Sequence, residues 1–283
     1  MTGGTGPSFL TTREVADLLR VKERKVYDLA AAGDIPHRRI TGKLLFPADE
    51  IRAWIDGEAH GPRPDVVAGS HDPLLDWAIR ESRCGLATLF DGSGDGLRLF
   101  TARKAALAGL HIPETGGWNL ETVAASGAAD AVLVGWARRR QGLIVAPGST
   151  IAGLADLNGR RIVLRQPGAG ARDLFDRLTG DLDLSRAAFL DAPARTETDA
   201  AEAVASGAAD VALGLAAAAH RLGLGFVPVA EEAFDLLIDR RAYFAPPVQT
   251  LLAFAKTPAL AEKAASLGGY DLTDLGLIRW NSD

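Results

Sequence analysis

The sequence predicts an α/β protein in two parts: a small module of helices and one hairpin over residues 1–58, and a two-lobed body over 73–283, joined by a linker at 59–72. Three observations predict it. The first 55 residues read as helix, turn, helix, basic hairpin, helix. After Cys84, apolar strands alternate with helical segments, the pattern of α/β layers with largely parallel sheets. The hexapeptide Ala-Ser-Gly-Ala-Ala-Asp stands at 125–130 and again at 205–210, each time before an apolar run. This short echo, which an alanine-rich chain can also produce by chance, suggests two similar lobes.

With 283 residues the chain can bury two or three cores. Its net charge of −5 excludes a basic nucleic-acid coat, so DNA contact has to come from a local patch. One cysteine, Cys84, excludes an intramolecular disulfide and reads as a small packed residue, compatible with a reducing compartment. Residues 1–10 lack a basic stretch followed by an apolar one, and no apolar run is long enough to span a bilayer. The expectation is a cytoplasmic protein with no membrane partner.

In the module, Thr11 and Glu14 fit a capping box, with Val15, Leu18 and Leu19 on the inner face of the helix that follows. A second helix runs from about Lys22 to Ala32, with Val26, Leu29 and Ala30 inward and Gly33 ending it. Extended pieces at 37–40 and 44–46, joined through Thr41-Gly42-Lys43, form the hairpin. A third helix at about 49–55 carries Ile51, Trp54 and Ile55.

Leu10-Thr11-Thr12-Arg13-Glu14-Val15-Ala16, Val26-Tyr27, Gly33-Asp34-Ile35-Pro36, Arg39-Ile40-Thr41-Gly42-Lys43 and Phe46 with Trp54-Ile55 give residues 8–57 a resemblance. The segment resembles the winged helix-turn-helix of excisionase and MerR-type regulators, which implies binding to double-stranded DNA. Charge placement agrees. Between 20 and 43, Arg20, Lys22, Arg24, Lys25, Arg38, Arg39 and Lys43 outweigh Glu23, Asp28 and Asp34. Lys22, Arg24, Lys25 and Tyr27 sit where a recognition helix meets DNA, and Arg38, Arg39 and Lys43 sit on the wing. A solvated basic face on a protein-binding module is the plainer alternative.

Pro62, Pro64, Gly61 and Gly69 mark the linker, after which Asp72 caps a helix with Pro73 in its first turn. Strands follow at 86–90, 132–134, 143–146, 162–164, 211–213, 226–229 and 236–238. Crossings near Val145-Ala146-Pro147 and Phe226-Val227-Pro228 divide the body into lobe 1 (about 84–147 and 229–283) and lobe 2 (about 148–228). A ligand then lies between the lobes, at strand C-termini and helix N-termini.

The segment Arg161–Arg172 is the clearest ligand loop. Ile162-Val163-Leu164 runs into Pro167-Gly168-Ala169-Gly170, and a helix with Leu174, Phe175 and Leu178 on one face follows. Strand, glycine turn and helix start aim backbone N–H groups at an anion, with Arg165 and Arg172 as flanking charges. In the matching turn Asp91-Gly92-Ser93-Gly94-Asp95-Gly96, Ser93 and the Gly94 amide are contacts, with a helix opening at Leu97. His111 either donates to the anion or is a satisfied structural histidine. Ser149 and Thr198 stand near helix starts of the second lobe. Glu231 and Glu232, after the second crossing, read as a hinge salt bridge.

Further pieces carry a second resemblance: Arg138-Arg139-Arg140-Gln141-Gly142 through Gly148, Asp156-Leu157-Asn158-Gly159, Arg165–Arg172, Ala208–Gly214, Gly223–Pro228, Glu232–Leu236 and Gly269-Tyr270-Asp271. Residues 84–280 resemble the periplasmic-binding-protein-like sensor domain of bacterial molybdate-type regulators. The resemblance implies a cleft for a small oxyanion or related metabolite. The family loop usually reads Arg-Gln-x-Gly-Ser-Gly-Thr-Arg; Ala169 and Ala171 here replace both hydroxyl residues, so an organic anion held by Arg165 or Arg172 competes with molybdate.

The fold class expected is therefore α/β, a small winged helix-turn-helix domain followed by a two-lobed periplasmic-binding-protein-like domain. The expected ligand set is Ser93, Gly94, His111, Ser149, Thr198, Arg165, Gln166, Gly168, Ala169, Gly170, Ala171 and Arg172. The expected function is a DNA-binding regulator, as a homodimer, that senses a small anion. The alternative is a cytoplasmic anion-binding protein whose module contacts proteins. No nucleophile elbow, zinc motif or phosphate-loop lysine stands out, so neither catalysis, a metal nor a cofactor is expected.

Overall fold

The computed structural model describes residues 9–55 and 62–282. The chain divides into two compact units, Met1–Pro62 and Arg63–Asp283. Residues 1–8 and the first part of the expected linker, with its boundary at 58, lie outside the described residues.

The first unit runs β1 (Phe9–Thr11), α1 (Thr12–Leu19), α2 (Glu23–Ala32), β2 (Arg38–Ile40), β3 (Lys43–Pro47) and α3 (Ala48–Ile55). Both halves of the Thr11–Glu14 capping box form, and Gly33 ends α2 at φ 77°. Lys22 is the N-cap of α2 rather than its first residue. Val15, Ala16, Val26, Ala30, Ile35, Phe46 and Ile51 make the core. Leu18, expected inside, is half exposed; Ala16 takes the inward position, and the chain leaves the helix at Arg20 in the left-handed region. β1 was not foreseen: three residues before the helix pair with β3 to make a three-stranded sheet.

The second unit opens with β4 (Val66–Gly69), α4 (Pro73–Ser82), β5 (Ala87–Leu89), α5 (Ser93–Thr101) and β6 (Leu107–Leu110). The short pair β7 (Pro113–Glu114) and β8 (Gly117–Trp118), α6 (Leu120–Ala125) and the long β9 (Ala131–Val145) follow. Then come β10 (Arg161–Val163), α7 (Gly170–Thr179), β11 (Ala188–Phe189), α8 (Glu197–Ala205), β12 (Val211–Leu215), α9 (Ala216–Arg221) and the long β13 (Gly225–Asp239). α10 (Arg240–Tyr243), α11 (Pro246–Ala255), α12 (Pro258–Leu267), β14 (Tyr270–Asp271) and β15 (Ile278–Asn281) complete the unit. Among the described residues ten strands share one sheet, ordered β11-β10-β12-β9-β13-β6-β4-β5, with β14 and β15 also paired to β9.

Two expectations change here. The linker at 59–72 contains a sheet strand: Val67 and Ala68 are fully buried, and β4 pairs in parallel with both β5 and β6. Four residues are enough for a strand buried on both faces, and the surrounding prolines and glycines hid it. The four short strands expected around the crossings are two continuous strands of 15 residues, β9 and β13, antiparallel along their length. Val132, Val134 and Trp136 of β9 pack in one lobe, while Leu143, Ile144 and Val145 pack in the other. The crossing therefore falls at Arg138–Gln141, before the predicted Val145-Ala146-Pro147, with register shifts in β13 at Pro228/Ala230 and Phe234/Asp235. Arg138 and Arg140 are exposed and Arg139 and Gln141 buried, so strand alternation persists beneath a charged run.

The echo is structural as well. α6 and α8 each stop at a serine and turn through a left-handed glycine, Gly127 or Gly207, into β9 or β12.

Next to the crossing, buried Asn119 ties three elements. Its Oδ1 accepts from the Ile112 amide at 2.6 Å, and its Nδ2 donates to Asp235 Oδ2 at 2.7 Å. Burial pushes the Asp235 carboxyl up to about 6, against the opposing pull of Asn119 and Arg279. A carboxylate with a raised folded-state pKa lowers stability as pH rises through that value. Asp235→Asn is therefore expected to gain on the wild type by about 2–3 kcal/mol at pH 8, since each tenfold change in proton affinity is worth about 1.4 kcal/mol. The gain should shrink as pH falls through about 6 toward 4. Urea unfolding at several pH values measures it, and a difference independent of pH would contradict the assignment.

Candidate ligand cleft and candidate DNA face

The cleft is built from strand ends and helix starts of both lobes. In lobe 1, Ser70 directly follows β4, β5 leads into α5 at Ser93, and His111 directly follows β6. All three are at most 2% exposed. Ser70 Oγ and Ser93 Oγ are 3.0 Å apart, and the His111 amide donates to Ser93 Oγ at 3.0 Å. α5 starts at Ser93, four residues before the expected Leu97, which brings that hydroxyl into the helix N-terminus.

From lobe 2, the loop before α7 meets this group directly. The Gly94 amide donates to the Gly168 carbonyl at 3.3 Å, and Gln166 Nε2 donates to the Asp91 carbonyl at 3.2 Å. Arg195 reaches Asp91 Oδ1 at 2.9 Å. Gly170, first residue of α7, lies flat on His111: a Cβ there would stand 2.3 Å from the His111 carbonyl oxygen and 2.8 Å from its Nδ1. Neither α5 nor α7 has a side-chain cap, so their first amides are left to other acceptors.

Beneath this contact runs a buried ionic chain across the crossing strands. His111 Nδ1–H donates to Glu232 Oε2 at 2.8 Å, and Gln141 Nε2 donates to Glu232 Oε1 at 3.1 Å. Arg139 ion-pairs with Glu232 and donates to Asp72 Oδ2 at 2.9 Å. Tyr270 OH also donates to Asp72 Oδ2, at 2.7 Å, while Asp72 Oδ1 caps α4 through the Leu75 amide at 2.7 Å. The Arg139 guanidinium lies 4.2 Å from the centre of the Phe234 ring. Burial alone would push the Glu232 carboxyl up; Arg139 and His111 outweigh it and hold it down to about 2. Burial likewise works against the Arg139 charge, but Glu232 and Asp72 raise its pKa above the ordinary value. The Tyr270 hydroxyl is pushed well up by burial and by Asp72.

Of the expected ligand residues, Ser93, Gly94, His111, Gly168 and Gly170 come together here, with Gln166 at the edge; Ala169 and Ala171 are 1% exposed and flank Gly170. Arg165 does not reach out as expected. It is buried and ion-paired with Glu197, and its other donors go to the Ala194 and Arg195 carbonyls at 3.2 and 2.9 Å. A buried guanidinium is tolerable only when so paired, and here its donors are committed to protein acceptors. Arg172 turns along its own helix to Asp176, at 2.9 Å. Ser149 lies on an exposed loop, where its Oγ accepts from the Ile151 amide. Thr198 lines a separate cavity. Asp91 and Asp95 are matched by Arg195 and Arg98. Sequence reasoning missed Ser70, Arg139 and Gln141. The signal for Ser70 was present, since apolar run, Ser70 and the Asp72-Pro73 helix start repeat the strand–turn–helix order of the 162–170 loop. The expected hinge pairing of Glu231 and Glu232 is found, with Arg138 and Arg139 respectively.

In the first unit Lys22, Arg24, Lys25, Tyr27, Arg38, Arg39 and Lys43 are all exposed. Arg24 and Tyr27, three residues apart, are neighbours on the exposed surface of α2, while Val26 and Ala30 are buried. The hairpin tip turns through Thr41 and Gly42, both at positive φ, which holds Arg39 and Lys43 on paired strands. Arg38 is drawn back to Glu50 at 2.8 Å.

Two lobes joined by paired crossing strands, with helix N-termini converging between them, define a hinged binding domain. Residues 77–256 match the PBP superfamily domain, and residues 9–59 match a helix-turn-helix domain. The chain belongs to the PBP superfamily and carries a helix-turn-helix domain at its N-terminal end. It is 27% identical over 267 residues to the uncharacterised protein YvgK of Bacillus subtilis (strain 168), covering 83% of this chain and 86% of that one. A Clostridium perfringens protein with bound phosphate, solved as a putative phosphate ABC transporter substrate-binding protein, is 11% identical with a TM-score of 0.55, over 75% of this chain and 98% of that chain. OxyR of Corynebacterium glutamicum, bound to hydrogen peroxide, is 14% identical with a TM-score of 0.50, over 91% of this chain and 89% of that chain. These two likenesses are of fold. Among the described residues no helix is long and apolar enough to cross a membrane.

Two outcomes follow from the cleft geometry. Asp72→Ala, which uncaps α4 and takes one carboxylate from buried Arg139, is expected to cost about 3–5 kcal/mol in urea unfolding; a loss near the roughly 1 kcal/mol of a cap alone would mean Glu232 suffices. Gly170→Ala keeps the lobes folded but puts a methyl group into His111. Small-angle scattering should show it more open than the wild type, and identical profiles would contradict the closure contact.

Proposed function

We propose that this protein is a DNA-binding transcription regulator whose affinity for DNA is set by a small anion bound in the interlobe cleft. The observation that carries the proposal is the union, in one chain, of an exposed cationic helix-turn-helix face and a hinged cleft whose lobes meet at two uncapped helix N-termini. Anions suit that cleft because backbone N–H groups and helix dipoles favour negative charge. The phosphate bound by the Clostridium perfringens protein of similar fold supports the same ligand class.

The cleft holds its anion through neutral donors. Arg139, Arg165 and His111 already face carboxylates and the Gly94 amide is taken by the Gly168 carbonyl, so the hydroxyls of Ser70 and Ser93, the Ser93 amide and the first amides of α7 remain. With alanine at 169 and 171, the loop adds no hydroxyl to favour molybdate over phosphate or a small carboxylate. The reading is of a cytoplasmic homodimer that binds rather than transforms its ligand; two readers give the half-site pairing such regulators need.

The test is fluorescence anisotropy of the full chain on the DNA upstream of its own coding region, with and without molybdate, tungstate, phosphate and small carboxylates. Charge reversal at Lys22, Arg24 and Arg39 should weaken binding at least tenfold. It should also flatten the salt dependence by roughly one unit of slope for each phosphate the variant no longer neutralises. One anion should change the wild-type affinity and leave Gly170→Ala indifferent. Salt-insensitive binding, or none above that of unrelated DNA in any condition, would sink the proposal.

A further inference from the structure

A second cavity reaches His71, next in sequence to Ser70, but is lined by none of Ser70, Ser93 and His111. It encloses about 350 Å³ between α4, α9 and α12, with the start of α8 at its edge. That volume is at the lower end of small-molecule sites. Its apolar wall is Trp77, Ala217, Ala218 and Leu267. Its charged residues are Asp76, Arg80, Arg221 and Lys263. Asp76 is matched by Arg80 at 2.8 Å. Arg221 donates to Thr198 Oγ1 at 3.0 Å, and Lys263 Nζ stands 5.7 Å from the centre of the Trp77 ring. Neither Arg221 nor Lys263 makes an ion pair among the described residues, so the cavity has an excess of positive charge in a chain whose balance is −5.

We propose that this cavity is a second ligand site, for a small organic anion whose carboxylate or phosphate is held between Arg221 and Lys263 and whose flat apolar part lies along Trp77 and the alanine wall. The chemistry is specific to that class. A guanidinium from α9 and an ammonium from α12 bind an acidic group, and the alanines leave room for a ring where larger side chains would fill it. A bare inorganic anion leaves the apolar wall uncovered, and a neutral ring leaves both charges unmatched.

The position adds a consequence. α4 and α12 pack in the lobe 1 core through Leu74, Leu75, Leu260 and Ala264, whereas α8 and α9 pack in lobe 2 through Ala200, Ala201, Ala218 and Ala219. An anion there is gripped by Lys263 from one lobe and Arg221 from the other, so it binds the closed arrangement better than the open one. Its effect on the cleft then equals its differential affinity for the two arrangements. The site itself does not depend on the DNA-binding proposal.

Isothermal titration of the full chain tests it, with benzoate and phenyl phosphate as probes for the two acidic groups, and inorganic phosphate and benzyl alcohol as controls. At least one ring-bearing anion should bind saturably, at least tenfold tighter than either control. Arg221→Ala and Lys263→Ala should each weaken that binding tenfold or more. Both side chains are at the surface of the cavity, and thermal unfolding of the variants checks that they fold. Absence of saturable binding by both ring-bearing anions at millimolar concentration overturns the proposal. So does binding unaffected by either substitution, and so does binding lost on Ser93→Ala but kept on Lys263→Ala, which puts the probe in the cleft.

Discussion

Arg139 is the side chain on which the geometry of the binding domain depends. It is 1% exposed, sits where β9 passes from one lobe to the other, and is charged. A lone guanidinium in that position is prohibitive, and this one is met on both sides. Asp72 fixes the start of α4, Glu232 lies on the second crossing strand, and Tyr270 closes the group from β14. Four segments far apart in sequence are thus held at one point by the need to solvate one charge. The same point carries His111 through Glu232, which sets the imidazole face against which α7 packs.

On the proposed function, a domain that neutralises its buried cations internally leaves its anion to neutral donors. Arg165 shows the consequence most plainly. Placed on the ligand loop, it instead braces the loop against α8 through Glu197 and two carbonyls. The loop gains rigidity, and what it offers across the cleft is backbone. Such a site selects by geometry and hydrogen bonding more than by net charge, because an anion entering it meets dipoles rather than unpaired cations.

Where local chemistry decides structure, the sequence was legible. The Thr11–Glu14 box, Gly33, Asp72-Pro73 and the glycine turn before α7 each fix a helix end by a mechanism contained in a few residues. The β/α alternation and the two resemblances led to the fold class. Long-range facts were less accessible. Arg138-Arg139-Arg140-Gln141 reads as a charged break between strands because the partners that bury Arg139 lie 67 and 93 positions away. β4 was lost in a stretch rich in proline and glycine, and Ser70 with it. Arg165 and Arg172 were assigned to the ligand from their place in a motif. That Arg165 meets Glu197 is settled only by how α8 packs, whereas the Arg172–Asp176 pair, four residues apart on α7, is a local one.

On the proposed function, Gly170 joins the binding and closing roles in one residue. It is the first residue of α7, so its amide belongs to the helix end that favours an anion, and its missing Cβ lets that helix end come against His111. The conformation of Gly170 demands no glycine; the approach of the other lobe does. An anion at this helix end therefore interacts with a group that exists as a unit only when the lobes are together: α7 from one side, Ser93 and the start of α5 from the other. In the separated lobes each helix end offers the anion only its own share of those donors. The difference between the two sets is the free energy by which ligand favours closure, and it is the largest effect the ligand can pass to any other part of the chain.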